Sequence, residues 1–137
     1  MRVLLFGSFD LLHKGHENLF KQARKYGDTL FVCLARDSTI KKLKKKPPFF
    51  DERERIKNLK KTGLVDKIFL GSKNNFYLPI KKIKPYIICL GYDQTFFIKN
   101  LRSKIKEWAM NTKIVRLKSY LPEIYKSSKL RKKYVRH

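Results

Sequence analysis

Short apolar segments recur along the chain, and polar or amphipathic stretches separate them. The segment at residues 29–35 is apolar without alternation, which is typical of a strand covered on both faces in a parallel sheet. Further apolar segments of similar length are bounded by turn residues. The predicted strands lie at residues 2–6, 29–35, 65–70, 86–90 and 113–117.

Helical spacing of apolar residues occupies most of the intervals between these strands. Asp51 can cap one such helix, because Glu54 stands at the position of a capping box. The residues predicted on the buried side of that helix are Ile56, Leu59 and Leu64. The other predicted helices cover residues 15–26, 77–83, 96–110 and 129–134, and Ser127 and Ser128 can cap the last of them.

The interval at residues 36–48 lacks this spacing. It carries a run of lysines and ends in Pro47-Pro48, which breaks any helix there. We expect a mobile connection in this interval.

Strands that alternate with helices predict an α/β fold. We expect a three-layer, doubly wound parallel sheet of five strands, in one domain that spans residues 1–137. Crossovers between parallel strands are almost always right-handed. The turn after the first strand therefore lies at the carboxyl end of that strand, where open α/β sheets bind ligands.

Composition indicates the cellular compartment in which we expect this fold. Hydrophobic residues make up 42% of the chain, but no apolar run is long enough to span a membrane, and the start of the chain does not resemble a signal peptide. Cys33 and Cys89 each lie within a predicted strand, so we expect buried thiols rather than a disulfide or a metal site. A cytoplasmic protein with no membrane contact is the resulting expectation.

The formal net charge of +23 favours anionic partners. Both nucleic acid and anionic small molecules fit such a surface. The lysines are spread along the whole chain, which is more typical of a lysine-biased proteome than of a dedicated nucleic-acid arm. A basic RNA-binding protein remains the alternative from a different functional class.

The turn after the first strand carries the densest candidate chemistry. Its glycines allow backbone to approach an anion, and the helix that follows presents N–H groups at its start. His13 and His16 lie three residues apart in this turn, and Asp10 lies just upstream. A zinc site would need a third ligand, and the remaining histidine is His137. The turn therefore predicts a phosphate site.

The sequence from Gly7 to His16 resembles the signature of the cytidylyltransferase-like nucleotidyltransferases, which carry His-x-Gly-His in their first turn. The resemblance extends over almost the whole chain and implies a Rossmann-like fold. Within this family, residues 35–37 and residues 90–94 (Leu-Gly-Tyr-Asp-Gln) are most similar to archaeal FAD synthases. Glycerol-3-phosphate cytidylyltransferases are the next most similar group.

The resemblance implies transfer of a nucleotidyl group from a nucleoside triphosphate to a phosphorylated acceptor, with release of pyrophosphate. The favoured reaction converts ATP and FMN to FAD. The alternative uses CTP with glycerol 3-phosphate or a similar phosphorylated alcohol. The resemblance also implies Mg²⁺, or another divalent ion, and a homodimer.

The resemblance also assigns roles to residues of this chain. The residues implied in catalysis are His13, His16, Lys46 and Arg55. Those implied in nucleotide binding are Ser8, Phe9, Asp10, His13, Gly15, His16, Gly91, Asp93, Ser127 and Ser128. Those implied in acceptor binding are Asp37, Lys44 and Tyr92, and Asp10 is also the implied metal ligand.

Some of these residues have plainer alternatives. Arg55 can equally form an ion pair with Glu52 on the helix surface, and Lys44 and Lys46 can be ordinary solvated side chains. The cytidylyltransferase pattern also has an arginine where this chain has Leu121-Pro122, and Arg116 is a candidate replacement.

Overall fold

A single parallel sheet organises the structure. The computed structural model describes residues 1–72, 75, 77–91, 94 and 98–118. In this part of the chain the strand order is β3-β2-β1-β4-β5, and every pairing is parallel. The strands are β1 (Arg2–Gly7), β2 (Thr29–Leu34), β3 (Lys67–Leu70), β4 (Ile87–Leu90) and β5 (Lys113–Arg116). The predicted five-stranded parallel sheet is confirmed.

Helices connect these strands. They are α1 (Lys14–Arg24), α2 (Asp37–Lys44), α3 (Glu52–Lys61), α4 (Leu78–Ile83) and α5 (Ile98–Glu107). The predicted helix at residues 129–134 lies outside the described residues. No helix in the described part of the chain is long and apolar enough to cross a membrane.

The sheet separates two apolar cores. Val3 and Leu5 of β1 pack into one cluster, which also contains Phe20 of α1. Leu4 and Phe6 point the other way, into a cluster that includes Leu101 of α5. Side chains alternate across a strand, so a continuous apolar strand requires helices on both faces. The predicted three-layer architecture is confirmed.

The strand order reverses beside β1. From β1 the chain proceeds outwards through β2 and β3, and it then returns to place β4 on the other side of β1. The carboxyl ends of β1 and β4 therefore border the crevice at the switch point, where doubly wound sheets bind ligands.

The expected mobile connection at residues 36–48 is wrong in its first half, because residues 37–44 form α2. Asp37 places a negative charge in the first turn of this helix, and Ile40 is buried against the rest of the protein. Lysine and leucine are good helix formers, so the lysine run favours a helix once Ile40 has a core to enter. The helix ends where Lys45 adopts a left-handed conformation with φ of 59°.

The predicted cap of α3 is confirmed. The Asp51 carboxylate accepts a hydrogen bond from the backbone N–H of Glu54 at 2.8 Å. Leu59 is fully buried, as the sequence predicts. Arg55 is also fully buried in this helix, which the apolar pattern did not indicate.

The two cysteines lie in the sheet, as predicted. Cys33 of β2 and Cys89 of β4 are buried and free of disulfides. Burial raises the pKa of each thiol to about 12. Both therefore behave as small apolar side chains at neutral pH.

Candidate active site

The turn between β1 and α1 is held in place by His13. Its backbone is extended, with φ of −151° and ψ of 178°, and its Nδ1 accepts a hydrogen bond from the N–H of Gly15 at 3.0 Å. His13 is therefore the N-cap of α1, a role that usually falls to Ser, Thr, Asp or Asn. Because β1 is the central strand, this cap lies at the middle of the carboxyl edge of the sheet.

The two histidines of the turn form a stacked pair. The ring centroids of His13 and His16 are 3.9 Å apart, and the rings are inclined by 29°. Because Nδ1 of His13 accepts a hydrogen bond, a neutral ring carries its proton on Nε2. In the described part of the chain, the buried Nδ1 of His16 has no hydrogen-bond partner. A buried polar atom without a partner is a free-energy cost that a ligand can relieve.

Both imidazoles favour the neutral form. Burial lowers the pKa of His13 below its ordinary value. Burial, together with the nearby His13, lowers the pKa of His16 to about 3. At neutral pH the pair therefore offers neutral N–H donors, and an arriving anion would favour the protonated forms.

Phe9 constrains the conformation of this turn through its backbone and its ring. Its φ of 46° is unusual for a residue other than glycine, and such conformations concentrate at functional sites. Its buried ring packs edge-on against His16 with centroids 5.3 Å apart, and it also contacts Phe20. A Cβ atom on Gly7 would lie 2.7 Å from this ring, so only glycine fits there. Phe9 can thus offer a ligand its backbone but not its ring.

Asp10 fastens a distant loop to the turn. Its Oδ2 accepts from the N–H of Phe49 at 2.6 Å, and its Oδ1 accepts from the N–H of Phe50 at 2.8 Å. The residue is 8% exposed. The predicted metal ligand therefore serves in this structure to hold the segment before α3 against the histidine turn.

Arg55 occupies the centre of the same region. Its guanidinium donates to the carbonyl oxygens of Ser8 and Phe50 at 3.0 and 3.1 Å, and to that of Ala35 at 2.7 Å. It also donates to Asp37 Oδ1 at 2.6 Å. In this structure the side chain has no exposed surface and donates to four protein acceptors, and its predicted catalytic role stays a prediction. The side chain joins the histidine turn, the end of β2, the start of α2 and the loop before α3.

Asp37 and Glu52 cap each other's helices. The Glu52 carboxylate accepts from the N–H of Asp37 at 2.8 Å, and the Asp37 carboxylate accepts from the N–H of Glu52 at 3.1 Å. Each carboxylate thus lies at a helix N-terminus, where negative charge is stabilised. The surface ion pair considered between Arg55 and Glu52 is wrong, because Arg55 pairs with Asp37 inside this arrangement.

The two lysines predicted in the site lie at the end of α2 and just after it. Lys44 is the last residue of α2, Lys46 follows two residues later, and both are exposed. Their contact with phosphate stays a prediction, as does acceptor binding by Asp37. Ser8 and Gly15 lie in the histidine turn, and their contact with nucleotide likewise stays a prediction.

Gln94, in the stretch at residues 90–94 that is predicted to end at the edge of the site, bridges the ends of β1 and β4. Gln94 Nε2 donates to the carbonyl of Phe6 at 2.8 Å, and its Oε1 accepts from the N–H of Gly91 at 2.9 Å. Arg116 donates to the carbonyls of Gly91 and Gln94 at 2.8 and 2.9 Å. Arg116, the candidate replacement for the arginine of the cytidylyltransferase pattern, thus binds backbone carbonyls in this structure. Tyr92, Asp93, Ser127 and Ser128 lie outside the described residues.

The fold and the turn together define a class of protein. A doubly wound parallel sheet with a histidine pair at the helix that follows its first strand is the arrangement of the His-x-Gly-His nucleotidyltransferases. The cytidylyltransferase-like family model matches residues 4–133. The chain therefore belongs to the cytidylyltransferase-like family.

Curated relatives cover most of the chain. The FAD synthase of Methanohalophilus mahii is 45% identical over 116 residues, which are 85% of this chain and 80% of that protein. The FAD synthase of Thermoplasma volcanium is 41% identical over 133 residues, which are 97% of this chain and 93% of that protein.

Solved structures agree with the fold. A crystal structure described as the lipopolysaccharide core biosynthesis protein of Thermoplasma volcanium has a TM-score of 0.81 at 41% identity. The match covers 88% of this chain and 98% of that one. The pantoate-β-alanine ligase of Francisella tularensis, at 20% identity and a TM-score of 0.57, is similar in fold alone over 85% of this chain and 58% of that one.

Proposed function

We propose that this protein transfers the adenylyl group of ATP to FMN, forming FAD and pyrophosphate. The observation that carries the proposal is the similarity to FAD synthases over 85 to 97% of the chain at 41 to 45% identity. The histidine pair lies within the matched region. The site described above supplies what this reaction needs.

The reaction is a displacement at phosphorus. A phosphate oxygen of FMN attacks the α-phosphorus of ATP, a new P–O bond forms, and the bond to the pyrophosphate oxygen breaks. No covalent intermediate with the protein is required. Both reactants are anions, so the protein has to position them and to stabilise charge on the phosphoryl oxygens.

His13 and His16 suit this task. The stacked pair sits at the start of α1, where the helix dipole favours negative charge. Neutral rings donate N–H groups, and a bound triphosphate raises the pKa of both side chains, so positive charge develops where the phosphates need it. Exposed Lys44 and Lys46 would add positive charge from the segment that Asp10 and Arg55 hold beside the turn.

In this proposal the divalent ion is bound mainly by the nucleotide. Both oxygens of Asp10 accept backbone N–H groups, and no cluster of three His, Cys, Asp or Glu side chains exists among the described residues. Mg²⁺ needs only one or two carboxylates when phosphate and water oxygens complete its coordination, so Asp10 stays the predicted ligand. We propose that the ion enters as MgATP, held by phosphate and water oxygens as Mg²⁺ prefers.

A pyrophosphate-release assay tests the proposal. ATP and CTP are each combined with FMN, glycerol 3-phosphate and pantetheine phosphate. The expected result is release with ATP and FMN, with FAD identified by mass spectrometry. Turnover with CTP and glycerol phosphate would establish the alternative reaction. If neither pair reacts, and RNA binds in a salt-sensitive way that survives replacement of both histidines, the RNA-binding alternative stands.

Two further properties complete the proposal. We propose a cytoplasmic location, supported by the two buried free thiols in the sheet. We also propose a homodimer, supported by the family resemblance, and light scattering coupled to size-exclusion chromatography would measure its mass.

A further inference from the structure

Several large hydrophobic side chains are exposed on the described surface. Among the described residues, the large exposed ones are Met1, Tyr26, Leu43, Phe49 and Tyr86. Met1, Tyr26 and Tyr86 precede β1, β2 and β4, so they lie at the amino edge of the sheet, away from the histidine turn. Leu43 lies in the last turn of α2. Phe49 is the one aromatic side chain of this set that lies beside the turn.

Asp10 fixes the position of Phe49. The Phe49 N–H donates to Asp10 at 2.6 Å, and the next residue donates to the other oxygen of the same carboxylate. Arg55 binds the carbonyl of Phe50 and also that of Ser8 in the turn. The backbone that carries Phe49 is therefore tied to the histidine turn from two directions.

The ring of Phe49 packs against that of its neighbour in sequence. Phe50 packs edge-on against it, with centroids 4.9 Å apart and an interplanar angle of 85°. Even so, Phe49 remains 36% exposed. Exposing a large aromatic ring to water has a cost in apolar hydration, and a ring that is held rigid loses little entropy when a flat ligand covers it.

The same short segment carries cations. Lys44, Lys45 and Lys46 are all exposed and lie three to five residues before Phe49. A ligand that combines a flat apolar ring system with a phosphate matches a segment that offers an aromatic face and several ammonium groups. Glycerol phosphate has no ring to place there, whereas FMN has a tricyclic one.

We propose that Phe49 stacks on the ring system of the flavin acceptor and selects FMN over small phosphorylated alcohols. This inference rests on the proposed function, since it names a residue that recognises the acceptor of that reaction. Phe50 and Asp10 act as positioning residues for the ring, through the edge contact and the backbone hydrogen bond.

Flavin binding can be measured apart from catalysis. The rotational mobility of FMN falls when the protein holds it, so a fluorescence-anisotropy titration gives Kd. Phe49→Ala is expected to raise the Kd for FMN about tenfold, which is the size of effect that one aromatic stack supports. Phe49→Trp is expected to keep the Kd close to that of the wild type. The KM for ATP should change little in either variant.

Tyr26→Ala is the matched control, because this aromatic is 39% exposed but lies at the opposite edge of the sheet. Phe49→Leu retains apolar bulk without a ring, so it separates stacking from a disturbed loop, and thermal melts report folding. If the wild-type protein adenylylates FMN while Phe49→Ala and Phe49→Leu bind it as tightly as Tyr26→Ala does, the stacking role is overturned and the proposed function stands. If the wild-type protein neither binds nor adenylylates FMN, the proposed function itself fails.

Discussion

At the scale of single residues, His16 combines burial with an unmet hydrogen bond. Its Nδ1 is buried without a partner in the described part of the chain, and its pKa is lowered to about 3. A stable fold rarely retains such an atom without a functional reason. The stacked ring of His13 and the edge of Phe9 hold the imidazole in place, so its orientation is set before a ligand arrives.

Replacement of His16 by alanine is expected to lower kcat for ATP and FMN by about two to three orders of magnitude, the usual effect of losing one donor to a developing anion. The measurement is pyrophosphate release at saturating substrates. Lys21→Ala, an exposed change on the same helix, serves as the control and should leave kcat near the wild-type value. Unchanged turnover in a folded His16→Ala protein would remove the residue from the mechanism.

Arg55 holds the region together by satisfying four acceptors at once. Its replacement by alanine should lower the free energy of unfolding by about 3–5 kcal/mol, because a fully buried side chain is lost and its four half-buried acceptors lose their donor. Lysine should fail to rescue the loss, since one ammonium cannot reproduce the planar fork. Urea unfolding provides the measurement. The exposed Arg53, two residues away, is the control, and its alanine variant should stay within about 0.5 kcal/mol of wild type.

The sequence pattern predicts where these residues lie but not all of their roles. The Gly7–His16 turn was predicted because its glycines and histidines are close in sequence and their chemistry is local. Asp10 and Arg55 act on residues that are 39 and 47 positions away, respectively. No local sequence pattern encodes contacts between residues so far apart. From the sequence alone, Asp10 near a phosphate site therefore suggests a metal ligand, and Arg55 suggests a phosphate contact. Only the folded chain reveals that protein groups already occupy them.

At the scale of elements, the segment between α2 and α3 depends on few contacts. Asp10 accepts the N–H groups of Phe49 and Phe50, and the mutual caps of Asp37 and Glu52 hold the two helix starts together. The sequence predicted the cap at Asp51, which lies within one turn of its partner, but missed α2, whose stability depends on burying Ile40. Tertiary burial decides whether a short lysine-rich segment is helical.

Replacing Asp10 by alanine should free this segment while leaving the sheet intact. Amide hydrogen exchange at Phe49 and Phe50 is expected to accelerate by at least tenfold, because both N–H groups lose their acceptor. Exchange in β1 and β4 should stay slow. Asp28→Ala is the control, since Asp28 is exposed and pairs with the amino terminus at the opposite edge. Equal protection of the two amides in both variants would show that Asp10 does not hold the loop.

At the scale of the whole molecule, part of the net charge of +23 lies at positions where it stabilises helices. Basic residues occupy the last turn of each described helix, on both faces of the sheet. Cations at helix C-termini stabilise the helix dipole. Because the basic residues are spread over all described helices, they favour a generally lysine-rich surface over a dedicated nucleic-acid arm. They also raise the local concentration of anionic substrates around the whole protein.

The stability of the whole fold should depend on pH through His16. Below pH 6.5 the unfolded chain takes up a proton at this residue, whereas the folded protein does so only near its pKa of about 3. The unfolded state therefore binds more protons across this window, and stability falls as the pH decreases. From pH 7 to pH 5 the expected loss from this residue is about 2 kcal/mol, measured by urea unfolding at each pH.

His16→Ala isolates this contribution, because carboxylates and His13 titrate in both proteins. The variant should lose about 2 kcal/mol less than wild type between pH 7 and pH 5. Saturating ATP should also flatten the wild-type profile, since an anion beside His16 raises its folded pKa toward the unfolded value. Parallel profiles for the two proteins would mean that His16 is solvated or already charged in the folded state, and the neutral-donor role of the pair would fail with it.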